Sequence, residues 1–290
     1  MSAIGYRDAR PEDIPALAGV FLEAVADMFD RHGVATPIPP RAAVERGYLH
    51  VLETGIFQVA EIEGEIVGIA GAVVRDRLWF LSAFWVLPAR QREGIGMPLL
   101  RRVHREGAAR GAERFFTWSS IDPSAMAAYL KLGMWPGGPI LQFEGIPKSL
   151  PEAASDTTTV PLETSVAQAL DRQVRGAGRM VDHRFWEEGG LMGRAVVRGG
   201  EEIGYFRHRL GTVGPVAWRA PADGPAVLAL ALREAAGAGG EVRLAVPGCN
   251  RAAQTLAMAA GLKLVAHAQF MTSAPFGALE QYLPSGPSLF

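Results

Sequence analysis

Apolar residues recur at helical spacing at Ile14, Leu17, Phe21, Val25 and Met28, which predicts a helix that buries one stripe. A short first strand, Ile4–Arg7, precedes it. Pro11 and the acidic residues of Asp8–Glu12 mark the helix start. Ala42–Glu53 predicts a second helix. Between the two, Asp30–Arg41 (DRHGVATPIPPR) holds too much Pro and Gly for regular structure and is well placed to line a substrate site. The period then shortens. Gly55–Ile62 and Glu65–Val74 flank a Glu63-Gly64 turn and predict a hairpin. Leu78–Leu87 is a continuous apolar and aromatic run, as in a strand buried on both faces, and Pro88 ends it. A helix over Met97–Arg110 with Gly111 as its stop follows, then a strand over Arg114–Ser119. Asp122–Leu132 predicts a helix capped by Asp122 with Pro123 at its first position, and Met134–Glu144 a last strand.

Ile146–Thr164 breaks this pattern with Pro, Ser and Thr and reads as a linker. The second half then repeats the first. Arg194–Phe206 turns at Gly199-Gly200, and its Ile203-Gly204-Tyr205 echoes Val67-Gly68-Ile69. Val216–Trp218 stands for Trp85–Leu87, Pro225–Gly237 is a helix and Glu241–Val246 a strand. Asp122-x-x-Ala125-x-x-x-Tyr129-x-x-x-Gly133 returns as Asn250-x-x-Ala253-x-x-x-Ala257-x-x-x-Gly261. The shared order of elements points to duplication. The expected domains are residues 1–146 and 165–290, joined by 147–164.

Length and composition fit two globular domains: 290 residues, 49% hydrophobic and 20% charged. A net charge of -1 offers no field for nucleic acid or an anionic membrane. The single cysteine, Cys249, excludes an intramolecular disulfide and suits a reducing compartment. No apolar run reaches membrane-span length, and residues 1–8 lack the regions of a signal peptide, so a cytoplasmic protein is expected. The apolar end Gln281–Phe290 is expected to pack on the body of the chain or on another subunit, which leaves a homodimer open.

The stretch with candidate chemistry follows the long strand. Gln91-Arg92-Glu93-Gly94-Ile95-Gly96 is a glycine loop, and Met97-Pro98 opens a helix. Successive amides and a helix start make an anion site suited to a diphosphate. A nucleotide P-loop would need Lys and Ser/Thr after its last Gly, and a dinucleotide fingerprint a third Gly where Leu99 stands. With Val86-Leu87-Pro88 before it, Gln91-x-x-Gly94-x-Gly96 resembles the acetyl-CoA loop of the GCN5-related N-acetyltransferases (GNAT). The resemblance implies an α/β chain of two tandem GNAT-like domains, each a mixed central sheet flanked by helices. It implies acetyl-CoA as cosubstrate, with no metal, and a small-molecule or peptide amine as acceptor.

The same resemblance assigns roles. Trp85, Val86 and Leu87 would pair with the pantetheine arm, and Gln91, Arg92, Glu93, Gly94, Ile95, Gly96 and Met97 would surround the diphosphate. Asp122, where the family usually has Asn, joins this set and also reads as a helix cap. Tyr129 would protonate the departing thiolate. A general base is not evident; Glu23, Asp27, Asp30, His32 and His50 are the candidates. In the second copy Ala220-Pro-Ala-Asp-Gly-Pro replaces the glycine loop and Ala257 replaces Tyr129, so that copy is expected to lack the cofactor site. Arg175, Arg179, His183, Phe185 and Trp186 fit either an interface lining or an ordinary amphipathic helix. The alternative to an N-acetyltransferase is a non-catalytic CoA-binding sensor or interaction protein.

Overall fold

The computed structural model describes residues 3–34, 37–152 and 155–290. Ala35–Thr36 of the irregular segment, Ala153–Ala154 of the expected linker and the first two residues lie outside the described residues. The chain divides into two compact units, Met1–Thr117 with Asp122–Met134 and Trp118–Ile121 with Trp135–Phe290. No helix among the described residues is long and apolar enough to cross a membrane.

Unit 1 contains β1 (Gly5–Asp8), α1 (Ile14–His32), α2 (Arg41–Thr54), β2 (Ile56–Ile62), β3 (Glu65–Arg75) and β4 (Leu78–Val86). α3 (Gly96–Ala109), β5 (Arg114–Ser119) and α4 (Pro123–Leu130) follow. β1 to β4 pair antiparallel in sequence order, and β5 joins β4 in parallel, so the sheet is mixed. A parallel pair needs a crossover, and α3 supplies it. The β2–β3 turn puts Glu63 at φ 51 and Gly64 at φ 86, which suits a tight hairpin. α1 buries Leu17, Ala18, Val20, Ala24, Val25 and Met28, a stripe that drives it onto the sheet. α3 packs its backbone directly on the indole of Trp79: a Cβ at Gly107 would lie 2.2 Å from Trp79 Cδ1.

Unit 2 contains β6 (Trp135–Gly145), β7 (Thr157–Pro161), α5 (Thr164–Val174), α6 (Met180–Glu188), β8 (Met192–Arg198) and β9 (Glu201–Arg209). β10 (Thr212–Trp218), α7 (Gly224–Ala236), β11 (Val242–Pro247), α8 (Arg251–Ala259), β12 (Lys263–Thr272) and β13 (Tyr282–Leu283) complete it. Its strands run β12-β6-β11-β10-β9-β8-β7, with β13 also on β10. β6 groups with this unit because it lies between β11 and β12, antiparallel to both. Within the stretch read as a linker, Thr157–Pro161 is a strand on β8, consistent with its β-branched Thr-Thr-Thr-Val.

The internal repeat is visible in three dimensions. β8–β9–β10–α7–β11–α8 repeats β2–β3–β4–α3–β5–α4, each with one parallel pair closed by a helix. The match is offset by one residue from the sequence alignment. Gly68 opposes Val86 and Gly204 opposes Trp218, so Trp218, not Ala217, is the counterpart of Val86. Each hairpin carries one register shift, between Gly71 and Ala72 in unit 1 and between Val213 and Val216 in unit 2.

Candidate active site

The site in unit 1 begins where β4 and β5 part. Their register runs from Leu78↔Arg114 to Leu81↔Thr117 and ends there, so the outer half of β4 has an edge turned to the gap. Phe84, Trp85 and Val86 are accordingly only half-buried, whereas Leu78–Leu81 are buried. The Leu87 amide donates to Val67 O at 2.9 Å. Successive strand amides face opposite edges, so the Val86 N–H and C=O point to the gap. Gln91 Nε2 donates to the Val86 carbonyl at 3.1 Å and ties the loop to this edge. Trp85 meets Phe21 of α1 edge-on at 5.2 Å between ring centroids.

The loop after β4 is held from within. Ile95 is buried, its carbonyl accepts from Tyr6 OH at 3.3 Å, and its side chain lies against Gly68. Arg92 and Gly94 adopt φ of 69 and 81, the left-handed region where Gly is at ease and Arg is not. Glu93 lies 3.7 Å from Arg90. A Cβ at Gly94 would enter open space, whereas one at Gly96 would meet the Phe84 ring at 3.0 Å. α3 starts at Gly96 with no side-chain cap, and Met97 follows in its first turn. Uncapped N–H groups at a helix start, next to exposed loop amides, can receive an anion.

α4 forms the other wall. Asp122 Oδ1 accepts from Ser124 N at 2.7 Å and Ala125 N at 3.3 Å, and its Oδ2 faces Arg31 at 3.4 Å and His32 Nε2 at 3.6 Å. Burial pushes its carboxyl pKa up, but the two amides and Arg31 outweigh this and leave it below the ordinary value. Tyr129 is buried at 5% exposure, 6.1 Å from Phe84 between ring centroids. Burial first, and Asp122 second, raise its phenol pKa well above the ordinary value, so it keeps its proton at neutral pH. Of the candidate bases, His32 contacts α4's cap. Asp27 is paired with Arg31 at 2.8 Å, and Glu23 faces a separate groove with Arg7, Glu12 and Asp13.

The corresponding place in unit 2 is built differently. Ala220–Asp223 includes a single 3-10 turn, and Asp223 accepts from Ala220 N at 3.1 Å and from Arg198 at 2.9 Å. The Trp218 indole lies 2.9 Å from where a Cβ of Gly224 would be, under the start of α7.

Beneath β10, sequence reading missed a buried network. Arg179 Nε donates to Asp171 Oδ2 at 2.7 Å, and Tyr205 OH to Asp171 Oδ1 at 2.6 Å. His183 Nε2 lies 2.8 Å from Asp171 Oδ2, while Arg207 Nε donates to its Nδ1 at 3.1 Å. Nδ1 is therefore the acceptor, Nε2 carries the hydrogen, and the ring is neutral. Arg179 and His183 are thus core residues of unit 2, with Trp186 packed beside them and Arg179 stacked 4.8 Å over its ring.

A splayed parallel strand pair, a glycine loop opening a helix and a buried tyrosine lie together in unit 1. The model of the acetyltransferase (GNAT) family matches residues 23–134. That match covers less than half of the chain, and the chain as a whole has the tandem GNAT fold. A candidate acetyltransferase from Pyrococcus horikoshii is 18% identical, covers 100% of this chain and 97% of its own, and superposes with a TM-score of 0.79. A tandem GNAT protein of the clavulanic acid biosynthesis pathway is 15% identical over 94% of this chain and 99% of its own, TM-score 0.63. A GCN5-related N-acetyltransferase from Sphaerobacter thermophilus is 15% identical over 93% and 95%, TM-score 0.63. No curated protein matches the chain.

Proposed function

We propose that unit 1 transfers an acetyl group from acetyl-CoA to an amine, and that unit 2 does not carry the reaction. The observation that carries this reading is the opening of β4 and β5 beside Val86, floored by the 91–97 loop and faced by Tyr129. The residues fit the cosubstrate. Open space at Gly94 and an uncapped α3 start suit a diphosphate held by Gln91–Met97. The gap-facing backbone of Val86, set between Trp85 and Leu87, suits an extended, amide-bearing arm, with Asp122 at its flank. Bound there, acetyl-CoA supplies an acetyl group activated as a thioester.

The Val86 N–H is the donor placed to meet the carbonyl oxygen as negative charge builds on it. The acceptor must attack as the neutral amine, because an alkylammonium with a pKa of about 10.4 has no free electron pair. His32, set against Asp122, is the group we assign to take the proton that the amine loses. Tyr129, protonated at neutral pH, gives its proton to the departing sulfur. One C–N bond forms, one C–S bond breaks, and one proton passes from nitrogen to the protein while another passes from Tyr129 to sulfur.

The acceptor is a small-molecule or peptide amine. Thiol release from acetyl-CoA across a panel of amines tests the reading. Turnover that depends on Tyr129 supports it. Tight CoA binding with no turnover on any amine would instead support a binding or sensing protein.

A further inference from the structure

Unit 2 keeps a gap like that of unit 1, and in unit 2 a segment of the chain lies in it. β10 and β11 pair in parallel at Thr212↔Arg243 and then part, as β4 and β5 do. β13 enters beside β10, antiparallel, with Val216↔Leu283 and Ala217↔Tyr282. In the chain's own repeat, Trp218 corresponds to Val86 and Asn250 to Asp122. Asn250 is fully buried and does two jobs: Oδ1 caps α8 at Ala253 N, 3.0 Å, and Nδ2 donates to Tyr282 O at 3.1 Å. Gln281 Nε2 reaches Trp218 O and Arg219 O, each at 3.4 Å.

The segment is anchored beyond this pairing. Tyr282, Leu283, Leu289 and Phe290 are exposed by 0%, 0%, 5% and 1%. Arg179 Nη2 donates to Tyr282 OH and Nη1 to Phe290 O, so the Asp171–Arg179–His183 network grips the segment from below. Phe290 stacks on Phe270 at 5.4 Å, and Pro284 O fits against Gly214 where any side chain would clash.

We infer that the gap of unit 2 is a binding site for an extended, amide-bearing arm, and that residues 279–290 are its built-in ligand. The segment makes with β10 and Asn250 the backbone contacts that a pantetheine arm would otherwise take. Unit 2 is then closed to the cosubstrate by occupation as well as by its altered loop. This inference rests on the proposed use of the equivalent gap in unit 1.

Hydrogen exchange read by mass spectrometry on the full chain separates the two ideas. With CoA present, exchange should slow at residues 84–97, while 214–218 and 279–290 stay slow with or without it. Asn250→Asp keeps the α8 cap, as Asp122 does for α4, but removes the donor to Tyr282 O. In this variant exchange at 214–218 and 280–284 should rise about tenfold or more, the equilibrium worth of one buried hydrogen bond. Millimolar pantetheine, which carries no phosphate, should slow it again at 214–218. Tyr282→Phe, which removes only the bond from Arg179, provides the same readout if Asn250→Asp does not fold. Unchanged exchange in both variants, or faster exchange that pantetheine leaves untouched, overturns the inference. So does a wild-type chain in which CoA releases 279–290. A CoA effect missing at 84–97 would instead count against the unit 1 reading, whatever happens at 214–218.

Discussion

Gly94→Ala distinguishes a loop that only turns the chain from one that receives a phosphate. The added methyl would have nothing within 4 Å, so no packing is disturbed. What remains is the left-handed φ of 81, which costs an L-residue about 1–2 kcal/mol. For a protein of this size that is a fall in Tm of roughly 2–8 °C. The same methyl would stand in the space we assign to the diphosphate. Losing one charge-assisted hydrogen bond and part of the helix-terminus field costs about 2–4 kcal/mol, or roughly 30- to 1,000-fold in CoA affinity. Calorimetric titration with CoA and thermal unfolding of the same preparation give both numbers. Gly96 is a poorer probe, because a side chain there must first displace the Phe84 ring. A folded Gly94→Ala chain that loses stability but binds CoA as before would remove the loop from the proposed site.

Tyr129→Phe should lower kcat about 100-fold or more with CoA affinity unchanged, since the ring still packs beside Phe84; an unchanged single-turnover rate refutes the acid role. His32→Gln should lower kcat/KM about 100-fold with little change in Tm, and an unchanged kcat/KM would send the amine proton elsewhere. Gly107→Ala, normally stabilising inside a helix, should here cost about 1–3 kcal/mol because the methyl would overlap Trp79, and a raised Tm would show that α3 can shift. Stability should be constant above about pH 7 and fall as the pH drops through 6. Burial holds His183 below its ordinary pKa despite Asp171, so the unfolded chain takes up a proton that the native chain does not; His104 and His208 act in the same direction. A Tm that rises between pH 7 and 5.5 would contradict this assignment.

The order of elements was legible because each signal was local. The Glu63-Gly64 and Gly199-Gly200 turns, the Asp122 and Asn250 caps and the run at Leu78 state their geometry within a few residues. The glycine loop was legible for the same reason. Arg179 and His183 were not, because charged residues beside apolar ones look like a wet helix face. Their partners Asp171, Tyr205 and Tyr282 lie up to 103 residues away, and only the folded unit brings them together. β12 and β13 were missed as well. Their pairing is specified by β6 and β10 rather than by a neighbouring turn.

β6 imposes an order in time. It leaves the ribosome roughly a hundred residues before β11 and β12, the strands that flank it. At about 5–20 residues per second it must wait on the order of 5–20 s with both edges unpaired. An extended strand bearing Ile140, Leu141 and Phe143 is then an open template for another nascent chain. Its first half carries Pro136, Gly137, Gly138 and Pro139, two residues that cannot donate to a ladder and two that weaken one. Those four residues slow premature pairing until the proper neighbours have been made. A strand that has to wait carries its own guard.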